Sequence, residues 1–319
     1  MKNKHFFDRF LDWSVFYSFE KSGFQRHQQY FADPNVSIDG KGKVALVTGA
    51  NSGIGFALAQ QLAERHCTVY LLCRNPQRGN EAVEKIQLAT GNTNVHLGQV
   101  DLSDLNSVRH FAQELTLDSI DIFVHNAGIL PLELSYSPQN IESTLATNLV
   151  GHHLLTRLLE GKLSQARMIL MSSGGMYLQA LDNQKLFSQQ FPKFDGVQRY
   201  ALTKRAQVIL AKMWQERWAK DANLQGSVFS MHPGWVATPG VAHSLPGFWK
   251  MMEGRLRDSE EGADTALWLA LSDEVHPYSG SFFFDREVKS PYLFPWHRES
   301  PKDRQELWTG LERLIQDFL

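Results

Sequence analysis

Only two cysteines, Cys67 and Cys73, occur in 319 residues. They flank one apolar run, and no Cys-x-x-Cys is present, so neither a disulfide framework nor a zinc site can be built from them. A reducing compartment and two buried structural thiols are the expectation. Charge of one sign is also scarce: 32 basic against 34 acidic residues leave a formal net charge of -2. A phosphate-neutralising surface needs a marked Lys/Arg excess, which argues against nucleic acid as a partner. No uninterrupted apolar run approaches the roughly 20 residues that a membrane-spanning helix requires. Lys2 and Lys4 precede an aromatic stretch, but Asp8, Arg9 and Asp12 break it before it could serve as a signal-peptide core. A cytoplasmic address is therefore expected, and the length allows one large α/β domain or two smaller ones.

What the chain does have is concentrated between Lys43 and Gly55. Val44 to Val47 form a short apolar run with β-branched ends, bounded by Gly42 and Gly49, which reads as a strand buried on both faces. Helical periodicity begins at once, with Ile54, Leu58 and Leu62 on one stripe. A strand, a glycine-rich turn and a helix in that order place unpaired backbone N–H groups at the positive end of a helix dipole, which is a seat for phosphate. Gly49 permits the tight turn, Gly53 lets backbone approach a pyrophosphate, and Gly55 lets the helix pack closely on the strand. Glycines alone would also fit a simple turn.

The spacing is Thr-Gly-x-x-x-Gly-Ile-Gly, carried by Thr48, Gly49, Gly53, Ile54 and Gly55, with Asn51 and Ser52 inside the loop. It resembles the cofactor loop of the short-chain dehydrogenase/reductases, and motifs downstream follow that family's order from about residue 43 to 285. The second strand, Thr68 to Cys73, ends at Arg74. A carboxylate at that place accepts the ribose 2′-hydroxyl of NAD, whereas a guanidinium can pair with the 2′-phosphate of NADP. Arg74 therefore points to NADP(H) in preference to NAD(H), against the plainer reading of a surface arginine. The third strand, Val95 to Val100, leads to Asp101 and Leu102. An acid there could cap the next helix; the resemblance implies an adenine contact instead. Ile120 to Val124 runs into His125-Asn126-Ala127-Gly128, where the family pattern is Asn-Asn-Ala-Gly, so His125 is a departure. The Ala127-Gly128 pair still lets backbone come close to the cofactor.

Tyr200 and Lys204, in Tyr-Ala-Leu-Thr-Lys, are four apart and share one helix face. A free tyrosine, with a pKa of about 10, is a poor acid or base at neutral pH. A neighbouring ammonium, joined by the positive nicotinamide of the oxidised cofactor, is expected to favour the phenolate. Taken alone the pair could be a surface ion-handling couple, so context decides. Met168 to Met171 leads into Ser172-Ser173-Gly174-Gly175, which resembles the family's catalytic serine element, with Ser173 preferred and Ser172 as the alternative. Asn148 lies within a helix expected from Gln139 to Leu159. The resemblance implies that it bends this helix and holds a water linking the lysine to solvent. His152 and His153 have no third ligand at useful spacing and read as packing or surface. After the strand Ser227 to Met231, Pro233, Gly234 and Thr238 match the family's Pro-Gly-x-x-x-Thr turn, which the resemblance places against the nicotinamide carboxamide.

The reading is a single doubly wound (Rossmann) parallel sheet with helices on both faces, spanning 43–290, with an N-terminal extension over 1–42 and a tail over 291–319. The segment 239–257 is rich in Gly, Pro, Phe, Trp and Met, and reads as an apolar lid. Residues between Ser173 and Tyr200 read as an inserted loop. Phe6, Phe10, Trp13 and Tyr17 make an aromatic stripe at helical spacing, suited to covering the body's own apolar surface or to contact with a membrane. The tail places Leu307, Leu311 and Ile315 at helical spacing, for docking on the body or on a second copy in a homodimer. The resemblance implies hydride transfer between NAD(P)(H) and a small-molecule carbonyl/alcohol pair, and the aromatic-rich lid and terminal extensions lead us to expect a lipophilic substrate. A cofactor-binding sensor without catalysis and a membrane-surface protein are the competing readings.

Overall fold

The computed structural model describes residues 11–12 and 15–319. Eight strands form one sheet in the order β3-β2-β1-β4-β5-β6-β7-β8. They are β1 (Val44–Thr48), β2 (Thr68–Cys73), β3 (Val95–Gln99), β4 (Ile122–His125), β5 (Arg167–Met171), β6 (Ser227–Met231), β7 (Phe282–Phe284) and β8 (Glu287–Val288). All neighbours pair in parallel except β7 and β8. The order reverses direction at β1 and β4, and a doubly wound sheet opens its ligand crevice at the carboxyl ends of the strands at that point.

Alternation along the strands divides the core between two faces. Leu46, Phe123, Met168 and Val228 join one buried cluster, which the helices Leu105–Glu114, Gly151–Leu159, Gly196–Trp218 and Pro301–Ile315 cover. Ala45, Val47, Val124, Ile169 and Phe229 join the other, beneath Gly53–Glu64, Pro76–Thr90 and Ser259–Leu271. Cys67 and Cys73 are buried and unpaired, and burial pushes each thiol up to about 11, which leaves them unreactive.

The expected doubly wound α/β fold is present, with one addition at its edge. The β7–β8 hairpin was not expected, because its two turn residues, Asp285 and Arg286, are neither Asn nor Gly. Both have positive φ, 47° and 60°, the conformation that a two-residue hairpin turn demands. Tertiary ion pairs hold them there: Arg257 Nη1 lies 2.6 Å from Asp285 Oδ1, and Arg286 pairs with the buried Asp264.

The tail docks on the body. Leu307, Leu311 and Ile315 are buried in the first cluster, and Glu312 accepts from His153 at 2.8 Å and also pairs with Arg157. The inserted loop contributes a short helix, Asn183–Leu186, whose Asn183 Nδ2 donates to Asp303 O at 2.8 Å on the same tail helix. Of the aromatic stripe, Phe6, Phe10 and Trp13 lie outside the described residues, and Tyr17 is exposed. The helices Val15–Phe19 and Lys21–Gln28 fold back onto the body, where Phe19 enters a third cluster with Met176, Tyr177, Phe282 and Phe284. No helix among the described residues is long and apolar enough to cross a membrane.

Candidate active site

At the crevice, β1 ends at Thr48, which has no exposed surface. Its hydroxyl oxygen accepts from the backbone N–H groups of Asn126 and Ala127, both at 2.9 Å, and Asn126 Nδ2 donates back to Thr48 O at 2.8 Å. The two loops that leave β1 and β4 are thereby tied together. Gly49 and Gly53 have positive φ, 66° and 58°. A Cβ on Gly55 would stand 2.4 Å from Asn126 Nδ2 and 2.6 Å from Gly49 O, so only glycine allows the helix to sit this close. Ser52 caps that helix by position without a side-chain bond, and it is exposed; the first-turn amides it precedes have no partner within the helix.

Arg74 lies exposed just past β2, and no hydrogen bond or ion pair engages it among the described residues. Asp101 does not cap the following helix; Asp104 does, through Asn106 N. Asp101 Oδ1 accepts from Ser103 N and Oγ at 2.9 and 2.7 Å, while Leu102 is buried against Gly151.

His125 replaces the family's first Asn as a wholly internal group. Its ring stacks on His152 at 4.7 Å and its Nε2 pairs with Thr156 Oγ1 at 3.2 Å. Burial holds its pKa well below the ordinary value, so it is neutral. His152, read from sequence as packing or surface, pairs with Thr48 Oγ1 at 3.0 Å. Sequence reasoning missed this strut, because it joins residues far apart in the chain.

Asn148 falls in a π-helical turn, Ala146–Val150, that interrupts the expected continuous helix. The helix also starts later than expected: Glu142 caps it, and Gln139 instead binds Leu105 N and Asp104. The side chain of Asn148 is fully buried. Its Oδ1 accepts from Ile129 N at 2.8 Å, and its Nδ2 donates to Ile129 O and Thr203 Oγ1, both at 3.1 Å. Its carbonyl accepts from Gln207 Nε2 at 2.8 Å. Thr203 and Gln207 were also missed; their place on the Tyr200 helix, one and three residues from Lys204, was the available hint.

Of the paired serines, Ser172 donates to Lys204 O at 2.8 Å, whereas Ser173 hydrogen-bonds the Tyr200 side chain. The helix Gly196–Trp218 carries both Tyr200 and Lys204, capped by Asp195 through Gln198 N. Lys204 Nζ lies 5.5 Å from the Tyr200 ring centre and donates to Met171 O at 2.8 Å. Burial lowers Lys204 to about 7. Burial also raises the Tyr200 phenol, and the Ser173 bond is the group that pulls it back. Desolvation therefore outweighs the lowering expected from the lysine, and Ser173 opposes it.

On the far wall, Gly234 has φ of 78°, and its N–H donates to His232 Nδ1 at 3.1 Å. Thr238 caps the short helix Pro239–Ser244 and stands 3.3 Å from where a Cβ on Gly53 would be. The segment expected to form a lid folds as this helix and Pro246–Met251. Ser244 Oγ anchors it to Leu130 O at 2.6 Å, and Arg257 closes it beside Val236. Two surface grooves, beside Phe187 and beside Lys220, lie away from this crevice. No cluster of metal-ligating side chains occurs among the described residues.

Strand order and crevice define a dinucleotide-binding scaffold, and the comparisons make it specific. A sequence profile described as short chain dehydrogenase matches residues 43–181. Human dehydrogenase/reductase SDR family member 12 is 38% identical over 306 residues, covering 94% of this chain and 95% of the relative. Bovine retinol dehydrogenase 12 is 33% identical over 278 residues, 84% of each chain. A protein from Beutenbergia cavernae, described as an NAD(P)-dependent gluconate 5-dehydrogenase and solved with NADP at low occupancy, shares 25% identity. Its TM-score is 0.62, over 77% of this chain and 96% of that one. The chain belongs to the short-chain dehydrogenase/reductase family, NAD(P)-using oxidoreductases that act on CH–OH and C=O groups of small molecules.

Proposed function

We propose that this protein interconverts a lipophilic carbonyl and its alcohol, preferring NADP(H), with Tyr200 as proton donor and acceptor. The observation that carries the reading is a continuous wall from the glycine turn to the lysine. Gly49 lies against Ala127, and a Cβ on Gly128 would stand 3.3 Å from Lys204 Nζ and 3.4 Å from Asn148 Oδ1. The glycine cradle, the unbonded Ser52 hydroxyl and the unpaired Arg74 suit a phosphorylated dinucleotide.

In this reading the turn from Gly49 through Asn51, Ser52, Gly53 and Ile54 to Gly55 holds the pyrophosphate. Arg74 takes the 2′-phosphate, and Asp101 and Leu102 meet the adenine. Asn126, Ala127 and Gly128 let backbone approach the nicotinamide side, Lys204 holds its ribose, and Pro233, Gly234 and Thr238 face its carboxamide. The bound cofactor supplies or accepts a hydride. Ser173 and Tyr200 hold the substrate oxygen, and Tyr200 moves its proton, while Asn148 fixes the loop after β4. The body over 43–290 with its lid over 239–257 is the unit that does this.

Support for a lipophilic substrate comes from the exposed Leu132, Leu178 and Met251, which sit on the segments leaving β4, β5 and β6 at the crevice end. The name of the retinol dehydrogenase relative points the same way. Turnover of retinal, medium-chain aldehydes and charged keto acids, with NADPH and NADH in parallel, tests the reading; charged acids as the best substrates would overturn it.

Two substitutions test the cofactor seat. Arg74→Ala should weaken NADPH about 10–100-fold and leave NADH nearly unchanged, since one charge-assisted bond is worth about 1.5–3 kcal/mol; equal losses for both would refute the 2′-phosphate role. Gly55→Ala places a methyl against backbone and should raise the dissociation constants of both cofactors by at least about tenfold, read by nicotinamide fluorescence.

A further inference from the structure

We propose that Phe19, in the N-terminal extension, is a positioning residue of the active site, holding the Ser173 loop with its ring and the Pro233-Gly234 turn through its carbonyl. This rests on the function proposed above. The ring covers the residue directly after Ser173: a Cβ on Gly174 would stand 2.6 Å from Phe19 Cε2. The same ring meets His232 at 4.4 Å and Trp235 edge-on at 5.8 Å. Both belong to the segment that carries Pro233 and Gly234.

The carbonyl of Phe19 accepts from Trp235 N at 2.8 Å and from Arg257 Nε at 3.0 Å. Arg257 is wholly buried and also donates to Ser18 O at 2.9 Å, Glu20 O at 3.3 Å and Pro233 O at 3.3 Å. A buried guanidinium must have its donors satisfied. Asp285 and three successive carbonyls of the extension do this together, and the guanidinium in turn holds the turn's own carbonyl. Its Nε stands 2.4 Å from where a Cβ on Gly234 would be, so it also limits that turn's movement.

His232 completes the contact. Its ring stacks on Phe284 at 4.2 Å, with Phe19 on it as well, while Nδ1 accepts from Gly234 N. One residue outside the nucleotide-binding body therefore touches both loops that flank the reacting atoms, and catalysis is sensitive to displacements of about 1 Å there.

The test uses the full chain, with NADPH affinity read by fluorescence and kcat read on the best carbonyl of the panel. Phe19→Ala keeps the carbonyl and loses the ring, so kcat should fall about tenfold or more while NADPH affinity stays within about threefold. Gly174→Ala drives a methyl into the ring and should lower kcat similarly. In Gly174→Ala/Phe19→Leu the smaller side chain makes room, and kcat should recover; this pair carries the test if Phe19→Ala does not fold. Additive losses in the pair, or Phe19→Ala with a lower Tm and wild-type kcat, would reduce Phe19 to a structural role. Wild-type protein that neither binds NADPH nor turns over any carbonyl would remove the function and this inference together; active wild type with unaffected variants would remove only the inference.

Discussion

Replacing Tyr200 with phenylalanine should lower kcat for carbonyl reduction by about 10²–10⁴-fold, the range for loss of a general acid, with NADPH affinity close to that of wild type. The ring stays, so packing and the cofactor seat are kept, and only the proton is lost. Burial raises the phenol pKa, so Tyr200 is protonated at neutral pH and ready to donate to the developing alkoxide. The Ser173 bond stabilises the phenolate left behind, and so does the Lys204 ammonium 5.5 Å from the ring. Burial brings Lys204 to about 7, so its ammonium is lost as pH rises through that value. Reduction should therefore slow above about pH 7, and Lys204→Met should lose this limb along with much of the rate. A Tyr200→Phe enzyme of wild-type kcat would rule the phenol out as the acid.

Strands buried on both faces were legible as continuous apolar runs, and β2 and β6 lie at the bounds the sequence suggested. The glycine turn and the Tyr200–Lys204 spacing were legible because local geometry dictates them. What escaped was set by distant partners. Nothing near Asn148 announces that both ends of its amide bind Ile129, or that the helix widens to a π turn around it. Spacing puts Lys204 beside Tyr200, yet its bond to Met171 O and the burial that dominates both pKa values depend on how β5 meets the helix. Arg257 reads in sequence as the end of a lid, and only the fold makes it the buried partner of the extension.

Removing the carboxylate of Asp285 should cost about 3–5 kcal/mol in Asp285→Ala, because a buried guanidinium is left without its counter-ion. A fall in Tm of roughly 5–15 °C would follow for a chain of this size. Asp285 takes two bonds from Arg257, at 2.6 and 2.8 Å, and His27 Nδ1 lies 2.6 Å from its Oδ2. Its φ of 47° adds a backbone cost that alanine bears worse than asparagine or glycine. Asp285→Asn, which keeps the turn and loses the charge, should therefore be the mildest variant, and Asp285→Gly should fall between it and alanine. Burial raises the carboxyl pKa, but Arg257 and His27 outweigh it and hold the group below the usual carboxylate range. A depressed pKa stabilises the fold fully above the unfolded value of about 4, and that contribution fades as pH falls below it. Urea melts of wild type and Asp285→Asn should accordingly differ most at pH 7, with the gap beginning to narrow as pH falls from about 4 toward 3. A constant gap across that range would mean that the turn conformation, and not the charge, is what Asp285 contributes.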